Sequence, residues 1–479
     1  MNHISIVSST AFLATVLLCG CTQYDAHQIG NVCETHVVAY EPAPDSIFAN
    51  VFELTRIAEQ TLGISASSRG SELQISEVPD SVGNPALYIM QCGNDNGFVI
   101  ASARKSYWPV LAYSDEGNFS RESEMPAPVR EWLANMTEQV ATSTNESSTN
   151  EVNSAWQIYE NHFIPGSSSC SSGRSSSNSD EEYWTEITAM SHILDDSIVS
   201  WQNQGYEAGL LADIRGITEE LRERWITEAQ NGVFAPYANE WMYLAAVRMR
   251  SGSYTGSTGF ELNYKWDQID PFNQSFPMLS NNRRAFVGCA NIAMGMIMRY
   301  HQWPATFNWN GMPYDTATKT TSDFLYEIAL TNHSTFGPTG TSTYLKNVTR
   351  SLKNNYGYHA KDNDFDYDIL RRNIQAYKPV ICSDVYINEN GEKKGHAWVV
   401  SGTQTRSTYY TAELWFFTSK RHVSYQDTQS YYNYSSPYYY VNWGWGGGSN
   451  GYFVDLYRAN PQSPISDLKG MSIEIYPLK

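Results

Sequence analysis

The sequence is poor in positive charge and, beyond its N-terminus, in long hydrophobic runs. It has 32 Lys and Arg against 50 Asp and Glu among 479 residues, a formal net charge of −18. Phosphates repel such a chain, and it has no basic stripe with interleaved aromatic residues, so nucleic-acid binding is not expected. No later segment is apolar enough to span a membrane. With 41% hydrophobic residues, the chain can build the cores of two or three domains.

Metal-binding motifs are also missing. The sequence contains no HExxH and no paired CxxC, so neither a metal nor another cofactor is expected. The carboxylates of Asp362–Asn373 are spaced like those of a calcium loop, but Tyr367 replaces the required Gly and Asn373 the required Glu. An acidic helix start explains this run better, because aspartates are favoured at the positive end of a helix dipole.

Two of the seven cysteines end an apolar run at the N-terminus. Ile4–Leu18 has the length of a signal peptide, and Leu18-Cys19-Gly20-Cys21 resembles a bacterial lipobox. We therefore expect residues 1–21 to be a lipoprotein signal peptide, with Cys21 carrying the lipid. An ordinary secretory signal that is cut nearby is the alternative.

Such a signal places the protein in the bacterial cell envelope. We expect it to be lipid-anchored at the outer membrane, on the periplasmic or the surface face, with release after processing as an alternative. Disulfides are allowed there, and Cys33 and Cys92 could pair. Five cysteines remain after maturation, so at least one is expected to be free or intermolecular. Cys382, in an apolar strand, is expected to be buried and inert.

The rest of the chain has four parts. Residues 35–145 alternate short β-rich runs with turns between two helical patterns, typical of a small α+β domain. Residues 146–182 are a Ser-rich linker. Residues 183–255 are predicted to be a helical insertion, with a flexible link at Met249–Gly259 that suits proteolytic cutting. Residues 260–479 are helical first and β-rich later, which favours an α+β domain of two subdomains around a cleft.

Cys289 stands between a glycine and a pattern typical of a buried helix, residues 290–301. The helix dipole is expected to lower the pKa of a thiol at this end and so to supply thiolate. A nucleophilic thiolate also needs a base and an oxyanion stabiliser. His396, which opens a predicted strand, is the candidate base. Gln268, in "YKWDQIDPFN", is the candidate oxyanion donor beside the Cys289 backbone N–H.

The segment "YVNWGWGGGSNGYF" supplies the remaining candidates. The side-chain carbonyl of Asn442 suits a role in accepting the imidazole N–H and fixing its tautomer. The Trp443 ring suits a role in shielding that hydrogen bond from water. Each feature alone is weak, since a lone cysteine before a helix is usually structural. The order Gln, Cys, His, Asn-Trp-Gly is far more specific.

These motifs resemble the streptopain family of papain-like cysteine peptidases. The resemblance is carried by "WDQIDPFN", "VGCANIAMGMIMRYHQWP", "GHAWVVSG" and "VNWGWGGGSNGYF" within residues 260–479. It implies a Cys289–His396 pair, Gln268 in the oxyanion hole, and Asn442 with Trp443 supporting the histidine. It also implies a helical part with the cysteine helix and an antiparallel β part. Residues 35–145 resemble the family's inhibitory pro-region.

The sequence also departs from the family. Ser401 stands where the family often has an acidic residue, and a structural role is expected for that position. Residues 146–250 are extra relative to a simple pro-peptidase. A Tyr-rich insertion over residues 408–440 lengthens the interval between His396 and Asn442.

The sequence therefore predicts an exported cysteine endopeptidase made as a zymogen. It is expected to cleave protein or peptide substrates through a covalent acyl-enzyme, with its own pro-domain as an intramolecular inhibitor. The resemblance implies a preference for a bulky apolar residue two positions before the scissile bond. The alternative is a retired peptidase fold that acts as an envelope binding or inhibitor protein. The Tyr-rich insertion and the extra middle region suggest it, and the retention of all four site residues argues against it.

Overall fold

A computed structural model describes most of the chain outside its N-terminus. Predictions for the signal peptide with Cys21, and for Cys33, lie outside the described residues. Within the described part, no helix is long and apolar enough to cross a membrane. The described residues are 47–62, 73–93, 96–119, 127–144, 150–157, 159, 196–204, 206–210, 223, 227, 231–232, 242–337, 340–387, 393–418, 422–427, 438–456 and 470–478.

The N-terminal unit is an antiparallel β-meander with helices packed against it. Its strands lie in the order β1-β2-β3-β4, and every residue of β3 and β4 is buried. Strands β2, β3 and β4 agree with the alternation of short β-rich runs and turns predicted for residues 35–145. The elements are α1 (Val51–Leu62), β1 (Leu73–Pro79), β2 (Pro85–Cys92), β3 (Phe98–Ser102), β4 (Val110–Ser114), α2 (Ala127–Thr142) and α3 (Asn150–Gln157).

Side-chain hydrogen bonds stabilise the first and the last helix of this unit. Asn50 and Glu53 cap the start of α1 reciprocally, each side chain accepting the other residue's backbone N–H at 2.9–3.0 Å. Trp156 on α3 is 1% exposed, and its indole N–H donates to the Tyr107 carbonyl at 2.7 Å. Because of this contact, α3 packs with the N-terminal unit although it lies within the predicted Ser-rich linker.

Four α-helices lie in the described part of the C-terminal unit, and the first of them matches the helix predicted over residues 290–301. They are α4 (Cys289–His301), α5 (Lys319–Thr331), α6 (Leu345–Tyr356) and α7 (Tyr367–Gln375). Helix α4 is central, with every residue from Ala290 to Arg299 buried. A β-carbon at Gly295 would lie 2.8 Å from Leu325 Cδ2, so glycine there lets α4 and α5 pack closely without a shift of the leucine side chain.

The acidic run is a helix start only in its second part: Asp362 and Asp364 lie in the strand Tyr358–Asp364, whereas Asp366 and Asp368 begin α7. Asp366 is the N-cap residue of α7, and its side chain accepts the Ile369 backbone N–H at 2.8 Å. The described residues contain no group of three or more His, Cys, Asp or Glu side chains that could hold a metal ion.

One antiparallel sheet joins the two units. Its main path is β1-β2-β3-β4-β14-β13-β11-β10-β15-β9. Strand β4 of the N-terminal unit pairs with β14, Tyr113 opposite Tyr452 and Ala112 opposite Phe453. The C-terminal strands on this path are β9 (Tyr358–Asp364), β10 (Val380–Ile387), β11 (Lys393–Thr418), β13 (Tyr438–Asn442), β14 (Gly451–Phe453) and β15 (Gly470–Pro477). A separate hairpin consists of β7 (Thr335–Gly337) and β8 (Gly340–Ser342).

Strand β11 continues beyond the main sheet into a long ribbon. Its residues from Gly402 to Thr418 pair with β6 (Met242–Gly259), while β5 (Glu207–Leu210) and β12 (His422–Asp427) flank that pair. Within the described part of 183–255, which is predicted to be helical, residues 196–203 form a helix, but β5 and β6 are strands.

The flexible link predicted at Met249–Gly259 is therefore a strand. The physical reason is pairing with β11, which supplies the main-chain hydrogen bonds that a Ser- and Gly-rich segment cannot make alone. Farther along the ribbon, Arg248 donates two hydrogen bonds to Glu413 Oε2 and lies 4.8 Å above the Tyr206 ring.

Two hydrophobic cores lie on opposite faces of the main sheet's C-terminal part. One surrounds α4, with Trp266, Phe324 and Leu352 among its buried members. The other is shared by both units, since it includes residues of β3, β4 and α2 together with residues of β13 and β14. Phe453 is a centre of this shared core: its ring meets those of Trp132 at 4.9 Å and Trp443 at 5.3 Å, both edge to face.

Candidate active site

Cys289 lies at the N-terminus of α4, after a sharply turned glycine. Gly288 has φ 92°, a conformation that residues with a β-carbon rarely adopt. A β-carbon there would also lie 3.1 Å from Asn291 Nδ2 and from two atoms of Thr341. The turn therefore needs glycine, and it presents the Cys289 thiol at the edge of the core, where the side chain is partly buried.

Gln268 lies beside the cysteine loop, as predicted. Its carbonyl accepts the Val287 backbone N–H at 2.9 Å, and its own backbone N–H donates to Asp267 Oδ1 at 2.6 Å. The side chain is 5% exposed, and its Nε2 has no hydrogen-bond partner among the described residues. An unpaired buried donor is costly, and at this place it suits an oxyanion that forms only during a reaction.

His396 lies near the start of β11, opposite Asp384 of β10. Its Nε2 is 3.1 Å from the Trp443 carbonyl oxygen. A carbonyl only accepts hydrogen bonds, so the neutral ring carries its proton on Nε2 and keeps a lone pair on Nδ1. The ring lies roughly parallel to those of Trp398 and Trp443, at 6.1 and 6.5 Å. Burial lowers the pKa of His396 to about 3, although the Trp443 contact opposes this shift.

The strand that carries His396 meets the tip of α4. The Ala397 backbone N–H donates to Cys289 Sγ at 3.3 Å, so the residue next to the histidine touches the thiol. Burial raises the pKa of Cys289 above its usual value, and it outweighs the backbone N–H groups of Ala397, Ala290 and Cys289 itself. The lowered pKa expected from the helix dipole is not present in this state, because desolvation is the larger effect. Both groups are thus neutral here.

Asn442 has different partners from those predicted. Its Nδ2 donates to the carbonyls of Leu262 and Tyr264, each at 2.8 Å, and its Oδ1 accepts the Gly444 N–H at 3.0 Å. All its polar atoms are used in this way, and the residue is fully buried. The histidine contact predicted for Asn442 is made instead by the main-chain carbonyl of Trp443. Sequence reasoning had no signal for that carbonyl, because every residue has one.

Two further polar residues support this side of the site. Asn450 Oδ1 accepts the Trp443 backbone N–H at 3.1 Å, which helps to orient the main chain that contacts His396. Ser401 accepts the Leu262 N–H at 3.1 Å and donates to the Phe260 carbonyl at 2.8 Å. Ser401 thus has a structural partner in the segment that leads to Gln268. Asn450 was missed, although its place in the Gly-rich motif was a usable signal.

The N-terminal unit contacts the sheet side of the site. The Trp132 indole N–H donates to the Val454 carbonyl at 3.0 Å, and the Val454 N–H donates to the Leu111 carbonyl at 3.0 Å. The Tyr107 hydroxyl lies 3.0 Å from Asp455 Oδ2. These contacts hold the end of β14, which pairs with β13, the strand that ends at Asn442.

A cysteine at a helix tip, a histidine near the start of an antiparallel strand and a buried glutamine beside the cysteine loop are the elements of a papain-like cysteine peptidase site. The family comparisons agree. Residues 266–323 and 305–453 match the Peptidase C10 family, and residues 54–140 match the Spi protease inhibitor. These matches cover residues 54–140 and 266–453, and they confirm the resemblance to the streptopain family predicted from the sequence.

Curated relatives match part of the chain. Thiol protease/hemagglutinin PrtT of Porphyromonas gingivalis is 25% identical over 239 residues, 41% of this chain and 23% of that protein. Streptopain of Streptococcus pyogenes is 22% identical over 228 residues, 39% of this chain and 49% of that protein. The match thus spans half or less of the length of these relatives.

Solved structures of Prevotella intermedia proteins are also similar. A fragment of prointerpain A has 13% sequence identity and a TM-score of 0.42, with 85% of this chain and all of that chain covered. Active wild-type interpain A cysteine protease has 18% identity and a TM-score of 0.34, with 46% of this chain and 95% of that chain covered.

Proposed function

We propose that this protein is a cysteine endopeptidase made as a zymogen, which cleaves peptide bonds in proteins through a covalent acyl-enzyme. One observation carries the proposal. The thiol of Cys289 meets the strand of His396, whose Nε2 proton is held by the Trp443 carbonyl and whose Nδ1 lone pair is left for a proton. The relatives with this domain are named as proteases.

In the proposed reaction, His396 Nδ1 takes the Cys289 proton and the thiolate attacks the peptide carbonyl carbon. The oxyanion that forms accepts hydrogen bonds from Gln268 Nε2 and the Cys289 backbone N–H. The imidazolium then protonates the departing amine, which leaves a thioester. Water, deprotonated by His396, attacks the thioester, and its collapse releases the acid and restores the thiol. Trp443 keeps its carbonyl on Nε2 throughout, so the ring needs no rotation between steps.

The state described here suits a resting form. Burial raises the pKa of Cys289 and lowers that of His396, so it favours a neutral pair over the reactive ion pair. In the proposed zymogen, the Spi-type domain is the inhibitor. It pairs with β14 and packs on Phe453, whose ring contacts Trp443. Its release alters the surroundings of the carbonyl that holds the histidine.

The experiment is alkylation and proteolysis with the full chain. Iodoacetamide near neutral pH is expected to label Cys289 under the conditions in which the wild type digests denatured casein, with the label located by peptide mass spectrometry. Cys289→Ala should abolish both. Cys382→Ala is the matched control, because this other described thiol is fully buried and should change neither. Equal casein digestion by Cys289→Ala and wild type would contradict the proposal, and it would favour the retired binding protein.

We also propose that the protein is exported and held at the cell envelope by a lipid on Cys21. The support is the apolar run followed by a lipobox-like sequence. Cys21→Ala should move the protein from the membrane fraction to the soluble fraction. An unchanged distribution would show that another feature holds it, or that no anchor exists.

A further inference from the structure

We infer that Asn291 is a positioning residue of this site, which holds the loop before Cys289 in register with Gln268. The inference rests on the proposed peptidase function and adds a residue to its machinery. Asn291 lies two positions after the nucleophile, in the first turn of α4, and is fully buried. A buried amide among apolar residues is costly unless all its groups are paired. Its partners therefore show what it does.

The Asn291 amide reaches out of its own helix. Nδ2 donates to the Val287 carbonyl at 2.7 Å and to Ser334 Oγ at 3.0 Å. Oδ1 accepts from Asn332 Nδ2 at 2.9 Å. The side chain thus links the cysteine loop to the end of α5 and to the residue before β7.

Val287 is held from both sides as a result. Its N–H donates to the Gln268 carbonyl at 2.9 Å, while its carbonyl accepts from Asn291. Fixing this carbonyl fixes the peptide plane that enters Gly288. Gly288, with its left-handed φ and no side chain, has few restraints of its own. Asn291 Nδ2 would lie only 3.1 Å from a β-carbon there, so the amide also packs against the turn.

The consequence concerns the oxyanion donors. The next peptide along the chain carries the Cys289 N–H, and Gln268 carries the other proposed donor. Asn291 therefore connects, through one residue, the two groups that must converge on one oxygen atom. The geometry of such donors has to be correct within a fraction of an ångström to stabilise a transition state.

The neighbouring asparagine is oriented to serve this contact. Asn332 is also fully buried, and with Nδ2 facing Asn291 its Oδ1 has no partner among the described residues. The reverse amide orientation would place two oxygens against each other at Asn291. Leaving Oδ1 of Asn332 unpaired lowers the stability of the fold. Such a cost is expected where a hydrogen-bond network serves to position catalytic groups.

The test compares Asn291→Ala with Asn373→Ala in the full chain, under the conditions in which the wild type is active. Asn373 is a close match: it is buried, its Nδ2 donates to the carbonyl four residues earlier at 2.9 Å, and its Oδ1 accepts a backbone N–H at 2.8 Å. It lies on α7, and its partners Ile369 and Glu474 take no part in the site. Asn291→Ala loses three side-chain hydrogen bonds and Asn373→Ala loses two, so a general loss of stability should affect both.

For Asn291→Ala, kcat on a peptide substrate should fall by about 10- to 100-fold, less than on deleting an oxyanion donor outright, with KM nearly unchanged. Inhibition by a peptide aldehyde, whose thiol adduct uses the oxyanion hole, should weaken by a similar factor. Alkylation of Cys289 by iodoacetamide should keep its rate, since that displacement forms no oxyanion. Asn373→Ala should match the wild type in all three.

Equal losses in Asn291→Ala and Asn373→Ala would overturn the inference, and so would a fall in alkylation parallel to that in kcat. If Asn291→Ala fails to fold, Asn332→Ala removes the donor to Asn291 Oδ1, together with a contact to Met294 Sδ at 3.4 Å, and it should show the same pattern with a smaller fall in kcat. Wild-type alkylation rates and kcat in Asn332→Ala would then overturn it. A wild type that neither cleaves peptides nor reacts at Cys289 would contradict the proposed function itself.

Discussion

The helix side and the sheet side of the site are held by different kinds of contact. On the helix side, the Asn291 side chain holds the loop before Cys289, and a main-chain hydrogen bond joins that loop to Gln268. On the sheet side, His396 takes its place from the register of β11 against β10, and its tautomer from a main-chain carbonyl. Catalytic activity should therefore be sensitive to single side-chain changes on the helix side. On the sheet side it should respond mainly to changes that move the backbone.

The largest contrast is expected between Gln268→Ala and Trp443→Phe. Gln268→Ala removes a donor and should lower kcat by about 10²- to 10³-fold. Trp443→Phe keeps the carbonyl that contacts His396, so its loss of kcat should be much smaller. Steady-state kinetics on one peptide substrate gives both values. An equal loss in the two variants would show that the Trp443 ring, and not its carbonyl, supports the histidine.

The variant Asn442→Ala distinguishes a structural role of Asn442 from the predicted role in fixing the tautomer of His396. In the structure it ties the Leu262 and Tyr264 carbonyls to the end of β13, so the variant should lose about 1–3 kcal/mol of unfolding free energy. The acidic limb of the pH profile for kcat/KM should stay in place, because Trp443 fixes the imidazole. Urea denaturation and a pH–rate profile test this. A shifted profile with unchanged stability would restore the tautomer-fixing role predicted from the sequence.

The smallest expected effect is the dependence of stability on pH. In the folded state burial lowers the pKa of His396 to about 3, against an ordinary value of 6.5. Between these values the unfolded chain binds a proton that the folded chain does not, so stability falls as the pH is lowered below 6.5. Each pH unit in this range lowers the free energy of unfolding by at most about 1.4 kcal/mol. Urea denaturation at pH 7.5 and 5.5 should show this loss in the wild type.

His396→Gln is the control for that measurement. Burial raises the pKa of Glu261 and Asp455, which acts in the opposite direction and favours the folded state at lower pH. These carboxyl groups are present in both proteins, so the difference between wild type and His396→Gln isolates the histidine. Identical pH dependence in the two would mean that His396 is not buried as a neutral ring.

Much of this arrangement could be predicted from the sequence, for physical reasons that differ between elements. Helix α4 and strands β2 to β4 follow from local hydrophobic patterns, and Gln268 and Cys289 were placed together by the order of motifs. Strand β6 could not be predicted, because its hydrogen bonds come from β11, which lies far away in the chain. The raised pKa of Cys289 could not be predicted either, since desolvation depends on packing that no local pattern records.

The pairing of β4 with β14 has a consequence for the separated C-terminal domain. If the N-terminal unit is released, as the proposed zymogen requires, the backbone of β14 becomes an open edge of the sheet, and open edges are sites where β-proteins associate with one another. Strand β14 is only three residues long, Gly451 to Phe453. So short an edge offers another chain few places to hydrogen-bond, and it lets the two units part without leaving a surface that readily aggregates.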